Sequence, residues 1–407
     1  MPHSGVFSMG QDILAAAIHS PFARLRTLLD PHPPGAPVID LSIGEPKHPF
    51  PPFMMEELAK AGAGFGKYPP INGTPELRGA IADWIERRYD VPGKIDPDQH
   101  VLPLNGSREG LVTAIFPAID RREKIDRPAV LMPNPFYQAY LAAALAAGAE
   151  AVMLAAHEHS GFLPDLDALE ARADVLNRTV AFYLCSPANP QGAVADAAYL
   201  ARALALARKY NFMMLADECY SEIYSDRPPV GAIEAALGHT GNLDNLLVLN
   251  SLSKRSSVPG LRSGFCAGDP AFLKRFSQFR NVAAPQVPLP VQAASTALWR
   301  EETHVEASRA LYKAKFDAAA TILGNRFGNI RPAGGFFLWL KMTQFGGGEA
   351  AAVTLWQRAG VKVVPGAYLT AKVGESVDPG SAYIRIALVQ DLAATREALE
   401  RVVRCFE

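Results

Sequence analysis

The stretch from Asn250 to Gly264, NSLSKRSSVPGLRSG, follows a short apolar run, NLLVL. Such a run is typical of a buried strand, and the small residues after it are typical of the loop where a strand ends. Lys254 would lie just beyond that strand, where partial burial lowers the pKa of a lysine and makes it a candidate Schiff-base amine. The same loop offers donors for a phosphate: Ser251, Ser253 and Arg262. A surface turn with basic residues is the alternative interpretation of this stretch taken alone.

The composition is that of an ordinary globular protein with enough residues for two cores. The chain has 407 residues, of which 49% are hydrophobic and 20% are charged. Its 40 basic and 41 acidic residues nearly balance, which argues against binding to nucleic acid or to an anionic membrane. No apolar segment is long enough to span a bilayer. We therefore expect a cytoplasmic protein.

The four cysteines are widely spaced and form no CxxC or Cys/His pattern: Cys185, Cys219, Cys266 and Cys405. This spacing argues against a disulfide framework and against a zinc site. We expect reduced thiols and no bound metal.

From about residue 100 onward, short apolar runs alternate with helical patterns. The runs are VLPL, AVLM, AVML, TVAFYL, FMMLA and LLVL, and each leads into a loop of small residues. Buried strands that alternate with helices predict a mainly parallel sheet covered on both faces, which is an α/β domain.

The last third of the chain lacks this alternation. It reads as a long helix from Val291 to Ala320, the run FFLWLKM, a helix from Glu349 to Arg358, then VKVV, AYIRIALV and a closing helix. This order predicts a second, α+β domain, to which the N-terminal segment also contributes. The predicted boundaries are 53–290 for the large domain, and 1–52 with 291–407 for the small one.

Ligands of open α/β sheets bind beyond the carboxyl ends of the strands, so the loops after the apolar runs should meet in one crevice. Gly106 and Ser107 follow VLPL and open a helix, where a phosphate would be favoured; a glycine turn with a serine cap is the alternative. Phe136 and Tyr137 follow AVLM, where they suit either stacking on a flat heterocycle or packing in the core.

Asp217 ends the run FMMLA, so its carboxylate is predicted to be buried and to need a cationic partner. A protonated pyridine nitrogen would be such a partner, and a structural salt bridge is the alternative. Tyr220 lies three residues further on and could reach a phenolic oxygen of the same ring. Asn189 in SPANPQG offers an amide to a ring hydroxyl or a carboxylate, although it also suits a simple turn.

Arg385 lies inside the apolar strand AYIRIALV, where a guanidinium would grip a carboxylate with two hydrogen bonds. An edge arginine that extends to solvent is the alternative. Gly44 in SIGEP lets a ligand approach the backbone or simply forms a turn. Together the amine, the phosphate donors, the buried acid and the guanidinium are the groups needed to bind pyridoxal 5′-phosphate (PLP) and an amino acid.

The stretch SLSKRSSVPGLRSG closely resembles the lysine signature of class I/II aminotransferases of the aspartate aminotransferase fold. Ser263 departs from that pattern, which usually has an aliphatic residue or Met there. The resemblance extends through SIGEP, YPPINGTPELR, NGSREG, PNPFYQAY, SPANPQG, DECYSEIY and YIRIAL. It implies PLP as cofactor and fold type I, with a mainly parallel seven-stranded sheet and a smaller α+β domain.

The resemblance also implies a role for each matching position. Lys254 would bond to PLP and later move a proton between the substrate Cα and C4′ of the cofactor. Asp217 would pair with the ring nitrogen, and Arg385 would bind the substrate carboxylate, with Gly44 beside it. The ring would contact Tyr137, Asn189 and Tyr220. The phosphate would contact Gly106, Ser107, Arg108, Ser251, Ser253 and Arg262, where relatives often carry a smaller residue at position 108.

Tyr68 would reach the phosphate of the neighbouring subunit's cofactor, which implies a homodimer with shared active sites. The motifs look most like those of bacterial succinyldiaminopimelate aminotransferases. That likeness implies exchange of an amino group between N-succinyl-LL-2,6-diaminopimelate and 2-oxoglutarate in lysine biosynthesis. Arg280 is a candidate for binding the distal carboxylate, and a solvated helix charge is its alternative. Donors such as acetylornithine, aspartate or aromatic amino acids remain alternatives, as do a C–S β-lyase and a decarboxylase on the same fold.

Overall fold

A computed structural model describes residues 20–121, 125–328, 331–373 and 378–407. Residues 1–19 of the predicted small domain lie outside this part of the chain. The strands in chain order are β1 (Ile39–Asp40), β2 (Val101–Leu104), β3 (Ala129–Asn134), β4 (Glu150–Ala155), β5 (Thr179–Cys185), β6 (Met213–Asp217), β7 (Leu246–Ser251), β8 (Gly264–Gly268), β9 (Phe337–Lys341), β10 (Val361–Lys362), β11 (Val364–Pro365) and β12 (Tyr383–Ala387).

Helices connect most of these strands. In chain order they are Pro21–Leu29, Phe53–Lys60, Pro75–Tyr89, Ser107–Thr113, Ile115–Asp120, Gln138–Ala146, Leu166–Glu170, Ala173–Arg178, Ala197–Lys209, Ala232–Thr240, Leu252–Arg255, Pro270–Ala283, Leu289–Arg300, Thr303–Leu323, Gly347–Ala359 and Leu392–Phe406. Within the described ranges, none of them is both long enough and apolar enough to cross a membrane.

The larger sheet is mainly parallel and has the strand order β2-β8-β7-β6-β5-β3-β4. Strand β8 is antiparallel to β2 and β7, and the other neighbouring strands are parallel. Strands β5, β6 and β7 are buried along their whole length, because helices cover both faces of the sheet. The predicted α/β class with a seven-stranded sheet is confirmed.

Successive residues of the central strands pack into different cores. Met214 in β6 and Val248 in β7 belong to the apolar cluster on one face of the sheet. Leu215 and Leu249, their neighbours in sequence, belong to the cluster on the other face. Side chains of a strand alternate between its faces, so both faces of these strands are used for packing. Polar side chains are therefore left to the strand ends.

One edge of this sheet collects the predicted site residues. Strand β6 ends at Asp217, and Lys254 follows the end of β7. Because β8 is antiparallel to β7, it begins at this same edge and brings Arg262 back beside them. Strand β2 is antiparallel to β8 in turn, so the loop with Gly106 also reaches this edge. The topology thus unites loops that are far apart in the sequence.

A second, antiparallel sheet with the order β11-β12-β9 carries Arg385. It has its own apolar cluster, in which Leu338 and Ile386 pack with Phe316 of the helix Thr303–Leu323. Strand β1, near the N-terminus, pairs in parallel with β10. The division of the chain at residues 52/53 and 290/291 stays a prediction.

The single helix predicted from Val291 to Ala320 is wrong. The structure has two helices there, Leu289–Arg300 and Thr303–Leu323. The carboxylate of Glu301 accepts from the first two backbone N–H groups of the second helix, at 2.7 and 3.1 Å. Since glutamate is not among the preferred N-cap residues, the sequence pattern did not reveal the break between these two helices.

Candidate active site

A cavity of about 390 Å³ lies at the edge where the strand ends meet. It is lined by most of the predicted site residues: Gly44, Ser107, Arg108, Tyr137, Asn189, Asp217, Tyr220, Ser251, Ser253, Lys254, Arg262 and Arg385. Gly106 immediately precedes one of the lining residues. Five of the six loops that follow the apolar runs therefore converge on one site, whereas the loop after AVML contributes no lining residue.

Lys254 lies on a short helix, Leu252–Arg255, directly after β7. Its Nζ donates to the carbonyl oxygen of Gly44 at 2.6 Å. Burial lowers the pKa of Lys254 to about 8. An amine with this pKa has a sizeable unprotonated fraction at neutral pH, which a nucleophilic lysine requires. The alternative of an ordinary surface turn is wrong, because Arg255 and Ser256 are buried as well.

Asp217 is buried at the end of β6 and forms no salt bridge with any described residue. Its carboxylate accepts from the hydroxyl of Tyr140 at 2.7 Å and from the backbone N–H of Cys219 at 3.3 Å. None of the described lysines or arginines forms a salt bridge with it, so the alternative of a structural ion pair is not seen. Burial raises the pKa of this carboxyl group. A ligand cation in the cavity would relieve the cost of burying the charged form.

Gly106 and Arg262 are packed against each other. Gly106 has φ +78°, and a Cβ atom there would lie 2.4 Å from Nη2 of Arg262. The guanidinium donates to the carbonyl oxygens of Pro259 at 2.8 Å and Asn105 at 3.2 Å. These contacts orient Arg262, and only glycine fits beside it in this conformation.

Three hydroxyl groups line the cavity near this arginine, those of Ser107, Ser251 and Ser253. The Ser251 hydroxyl accepts from the backbone N–H of Ser253 at 3.3 Å, which shapes the loop after β7. The Cys219 thiol donates to the Ser107 hydroxyl at 2.9 Å. Hydroxyls and a guanidinium are a donor set that suits a phosphate.

Arg108 and Tyr137 form one wall of the cavity. Arg108 Nε donates to the phenolic oxygen of Tyr137, and its guanidinium carbon is 5.7 Å from the ring centroid. Its terminal nitrogens form no hydrogen bond with any residue in the described ranges. Arg108 is therefore a second exposed cation at the site, beside the aromatic ring.

Arg385 is buried and points into the cavity from the second sheet. Nη1 donates to Oδ1 of Asn189 at 3.1 Å, and Nη2 donates to the carbonyl oxygen of Ser42 at 2.8 Å. Nε is buried without an acceptor, and none of the described carboxylates pairs with the guanidinium. With 4% exposure, Arg385 is not the edge arginine extending to solvent that was its alternative.

Tyr220 closes one side of the cavity. Lys254 Nζ is 6.0 Å from the centroid of its ring, and the ring packs edge-on against Phe336 and Phe337 at 5.3 and 5.8 Å. Burial raises the pKa of Tyr220 well above its usual value. The phenol is therefore protonated at neutral pH and can donate a hydrogen bond.

Two residues of the sequence analysis lie away from the cavity. Tyr68 is fully exposed in its loop and does not line the cavity of this chain. Arg280 is 1% exposed, and its guanidinium makes two hydrogen bonds to the carboxylate of Glu109, at 2.7 and 3.0 Å. Both interpretations of Arg280, a substrate contact and a solvated charge, are wrong, because its charge is neutralised inside the protein.

Sequence reasoning missed three residues that shape the site: Tyr140, Cys219 and Phe337. Tyr140 lies three positions after Tyr137, and helical spacing could have placed both on one side of the helix Gln138–Ala146. Phe337 lies under the guanidinium of Arg385, whose central carbon is 4.4 Å from the ring centroid. The pairing of β9 with β12 brings these two residues together, so the local sequence could not predict their contact.

The family of this chain follows from a comparison of its whole length. Residues 36–402 match the family model described as aminotransferase class I and II. The chain belongs to the class I and II aminotransferases. The matched range contains the lysine stretch, the buried acid and the buried arginine of the cavity.

Individual aminotransferases are similar over most of their length. An aminotransferase from Neisseria meningitidis, known from a crystal structure, superposes with a TM-score of 0.91 at 39% identity and covers 97% of this chain and 99% of its own. The 4-dedimethylamino-4-oxo-anhydrotetracycline transaminase OxyQ of Streptomyces rimosus is 35% identical over 359 residues, 88% of this chain and 90% of its own. The LL-diaminopimelate aminotransferase of Dehalococcoides mccartyi is 31% identical over 360 residues, 87% of either chain.

Aminotransferases of this family depend on PLP, and the cavity fits that cofactor. Lys254 offers an amine to its aldehyde, Asp217 is a buried carboxylate without a cationic partner for the ring nitrogen, and Arg262 lies among hydroxyls suited to the phosphate. When bound, PLP supplies an aldehyde that condenses with amines and a ring that takes up negative charge from the substrate α-carbon.

Proposed function

We propose that this aminotransferase moves the amino group of N-succinyl-LL-2,6-diaminopimelate to 2-oxoglutarate, forming glutamate in a step of lysine biosynthesis. The observation that carries the proposal is the buried guanidinium of Arg385, which has no carboxylate partner and faces the same cavity as Lys254. A cation in that position supports an amino acid or 2-oxo acid as the substrate.

The guanidinium of Arg385 keeps N–H groups that do not donate to Asn189 or Ser42 and that a carboxylate could accept from. A guanidinium has five N–H groups, and Asn189 and Ser42 each take one from a terminal nitrogen. The Nε–H group has no acceptor, and it lies beside a terminal nitrogen that keeps a second N–H. A substrate carboxylate would accept from this pair, and Gly44 also lines the cavity.

Lys254 would attach the cofactor and later act as a base. Its lowered pKa of about 8 favours the unprotonated amine that both tasks need. Lys254 would also move a proton between the substrate α-carbon and C4′ of the cofactor, whose ring would take up negative charge from that carbon. Its place between the loop of Gly44 and the ring of Tyr220 keeps the amine near the substrate.

Asp217 would hold a proton on the ring nitrogen of the cofactor. Tyr140 and Cys219 donate to its carboxylate and keep it aimed at the cavity. A cation bonded to this carboxylate would favour its charged form, reversing the effect of burial on its pKa. Asp217 would thereby keep the ring electron-poor while the α-carbon is deprotonated.

The remaining residues would bind and orient the cofactor. Tyr137 would stack on the ring, and Asn189 and Tyr220 would donate to its phenolic oxygen. The phosphate would be held by Gly106, Ser107, Ser251, Ser253 and Arg262, with Arg108 at the rim. These assignments follow the resemblance to class I/II aminotransferases, and the donor types suit the groups they would hold.

The donor and the acceptor are proposed from charge and from likeness to relatives. The buried guanidinium of Arg385 in the cavity suits the carboxylate next to the reacting carbon of a 2-oxo acid such as 2-oxoglutarate. The likeness to an LL-diaminopimelate aminotransferase supports a donor built on diaminopimelate. Acetylornithine, aspartate and aromatic amino acids are the competing donors.

We also propose a cytoplasmic homodimer with shared active sites. Tyr68 is fully exposed, and the large apolar side chains of Phe65 and Val282 are 67% and 90% exposed. Exposed apolar side chains of this size mark a surface that another chain would cover. Sedimentation of the purified protein should give twice the monomer mass, and a mixture of K254A and Y68F chains should recover activity only if subunits share sites.

The proposed reaction is tested with the PLP-loaded protein, 2-oxoglutarate and a panel of amino donors. N-succinyl-LL-2,6-diaminopimelate should give the highest kcat/KM, with one glutamate formed per donor consumed. A higher kcat/KM for acetylornithine, aspartate or an aromatic donor would replace the proposed substrate and keep transamination. Release of ammonia and pyruvate from a sulfur amino acid, without glutamate, would instead identify a C–S β-lyase.

A further inference from the structure

Lys315 is a buried lysine that forms no ion pair with any described residue. It is 2% exposed on the helix Thr303–Leu323. Its Nζ lies 2.8 Å from Nε2 of His48 and donates to the carbonyl oxygen of Leu388 at 3.2 Å. His48 belongs to the loop after Gly44, and Leu388 follows β12. This one ammonium therefore joins two segments that both contribute to the cavity.

The protonation of His48 follows from its partners. An ammonium can only donate, so Nε2 of His48 accepts from Lys315 and Nδ1 carries the proton. The Nδ1–H group then donates to the hydroxyl of Ser308 at 3.2 Å. Burial and the neighbouring Lys315 lower the pKa of His48 to about 4, so the ring is neutral near neutral pH. Both ring nitrogens are thus used to hold His48 on the helix.

The loop between His48 and the cavity has little freedom. Pro46 and Pro49 flank His48 closely and fix two φ angles. A Cβ atom at Gly44 would lie 2.6 Å from the ring of Phe337, so the backbone is in close contact there. The carbonyl oxygen of Gly44 accepts from Lys254 at 2.6 Å. A displacement at His48 would therefore reach the cavity wall.

The other end of the connection lies beside Arg385. Leu388 accepts from Lys315 through its carbonyl oxygen, and its N–H donates to the carbonyl oxygen of Phe336 at 2.9 Å. Tyr312, one turn before Lys315, lies between His48 and Phe336. Its ring stacks on Phe336 with centroids 5.5 Å apart and is tilted against His48, with centroids 4.3 Å apart. The helix thus contacts both walls of the site that would receive the substrate carboxylate.

We propose that His48 and Lys315 are a positioning pair, which holds the loop of Gly44 and the strand of Arg385 at the separation that the substrate carboxylate requires. The inference rests on the proposed function, because it assumes that this site receives the carboxylate. Neither residue lines the cavity, so the pair acts through the segments it joins. It should affect binding of both substrates alike, since each has a carboxylate next to the reacting carbon.

The test uses three variants of the PLP-loaded enzyme: H48F, K315M and the double variant. H48F keeps a ring beside Tyr312 and removes both hydrogen bonds, and K315M keeps the length of the side chain and removes the ammonium. We expect KM for the amino donor and for 2-oxoglutarate to rise about tenfold in each, from the loss of about 1.4 kcal/mol of carboxylate binding. The double variant should match the single ones, because the two residues work as a unit.

K313M is the matched control, because Lys313 is exposed on the same helix and, among the described residues, forms its salt bridge with Asp317 alone. It should keep the wild-type KM, and all variants should keep the wild-type affinity for PLP. Calorimetric titration with succinate, an unreactive carboxylate, should show the same loss of about tenfold in H48F and K315M. Equal succinate affinity and equal KM in wild type and pair variants would overturn the inference, as would an equal loss of PLP affinity.

Failure of the proposed function has a different signature. A wild-type protein that forms no glutamate with any donor would end that proposal. Weaker succinate binding in H48F and K315M would then still support the positioning pair, because the titration needs no turnover.

Discussion

The conservative substitution R385K isolates the second hydrogen bond to the substrate carboxylate. Lysine keeps the positive charge but offers a single compact ammonium in place of the planar guanidinium. A hydrogen bond to a charged group is worth about 1.5–3 kcal/mol, so losing one of two costs about 2 kcal/mol. This corresponds to a fall of roughly 30-fold in kcat/KM. Asn189 and the Ser42 carbonyl oxygen also lose donors, which makes that figure a lower bound.

The variant should also acquire a pH dependence that the wild type lacks. Burial lowers the pKa of Arg385 to about 10, so its guanidinium stays charged at neutral and mildly alkaline pH. Burial in the same cavity lowers the pKa of Lys254 to about 8, and an ammonium at position 385 would be lowered in the same direction. That ammonium loses its proton as pH rises through its pKa, and carboxylate binding is lost with it. The ratio of wild-type to R385K kcat/KM should therefore grow as the pH rises through the lowered pKa of that ammonium.

Steady-state glutamate formation, measured at several pH values with each substrate varied in turn, gives both kcat/KM values. The ratio of the two proteins at each pH then reports the effect of the substitution. R396K is the control, because Arg396 is exposed on the last helix and does not line the cavity. A kcat/KM of R385K within twofold of wild type, or a fall for only one of the two substrates, would refute the assignment of Arg385.

Other substitutions address the cofactor side of the cavity. K254A should retain PLP without a covalent bond and lose at least about 10⁴-fold in kcat, since both the attaching amine and the base are removed; near-normal turnover would contradict its role. D217N should slow removal of the α-proton roughly 150-fold, because about 3 kcal/mol of charge pairing with the ring nitrogen is lost, and an unchanged rate in single-turnover absorbance would make Asp217 structural. G106A should raise the Kd of PLP roughly 30-fold. The backbone angle φ of +78° and the contact with Arg262 exclude a Cβ atom, and forcing one in costs about 2 kcal/mol. An unchanged Kd in equilibrium dialysis would contradict this prediction.

Much of the cavity could be predicted because the first polar residue after an apolar run shows where a buried strand ends. A run such as MMLA leaves no polar group until Asp217, so its carboxylate must lie at the edge of the sheet. The parallel arrangement then places the ends of β5, β6 and β7 side by side without further information. A single cation within an apolar strand is similarly conspicuous, which is why Arg385 could be found from the sequence.

Partners across the fold could not be predicted in this way. Arg280 and Glu109 are 171 positions apart, and helical periodicity cannot distinguish an arginine with such a partner from an exposed one. His48 and Lys315 are 267 positions apart. Whether a buried charge is paired depends on the packing of helices against the sheets, which the local pattern does not contain.

The two sheets contribute different groups to this site, so substitutions on each sheet should change different measured quantities. In the proposed assignment, the mainly parallel sheet contributes Lys254, Asp217 and the loops that would bind the phosphate, whereas the second sheet and the loop of Gly44 would surround the substrate carboxylate. The hydrogen bond from Arg385 to Asn189, at 3.1 Å, is the direct side-chain link between Arg385 and the loops of the parallel sheet. Changes on the parallel side should therefore alter the affinity for PLP or the rate of proton transfer. Changes on the other side, including those at His48 and Lys315, should raise KM for both substrates and leave PLP in place.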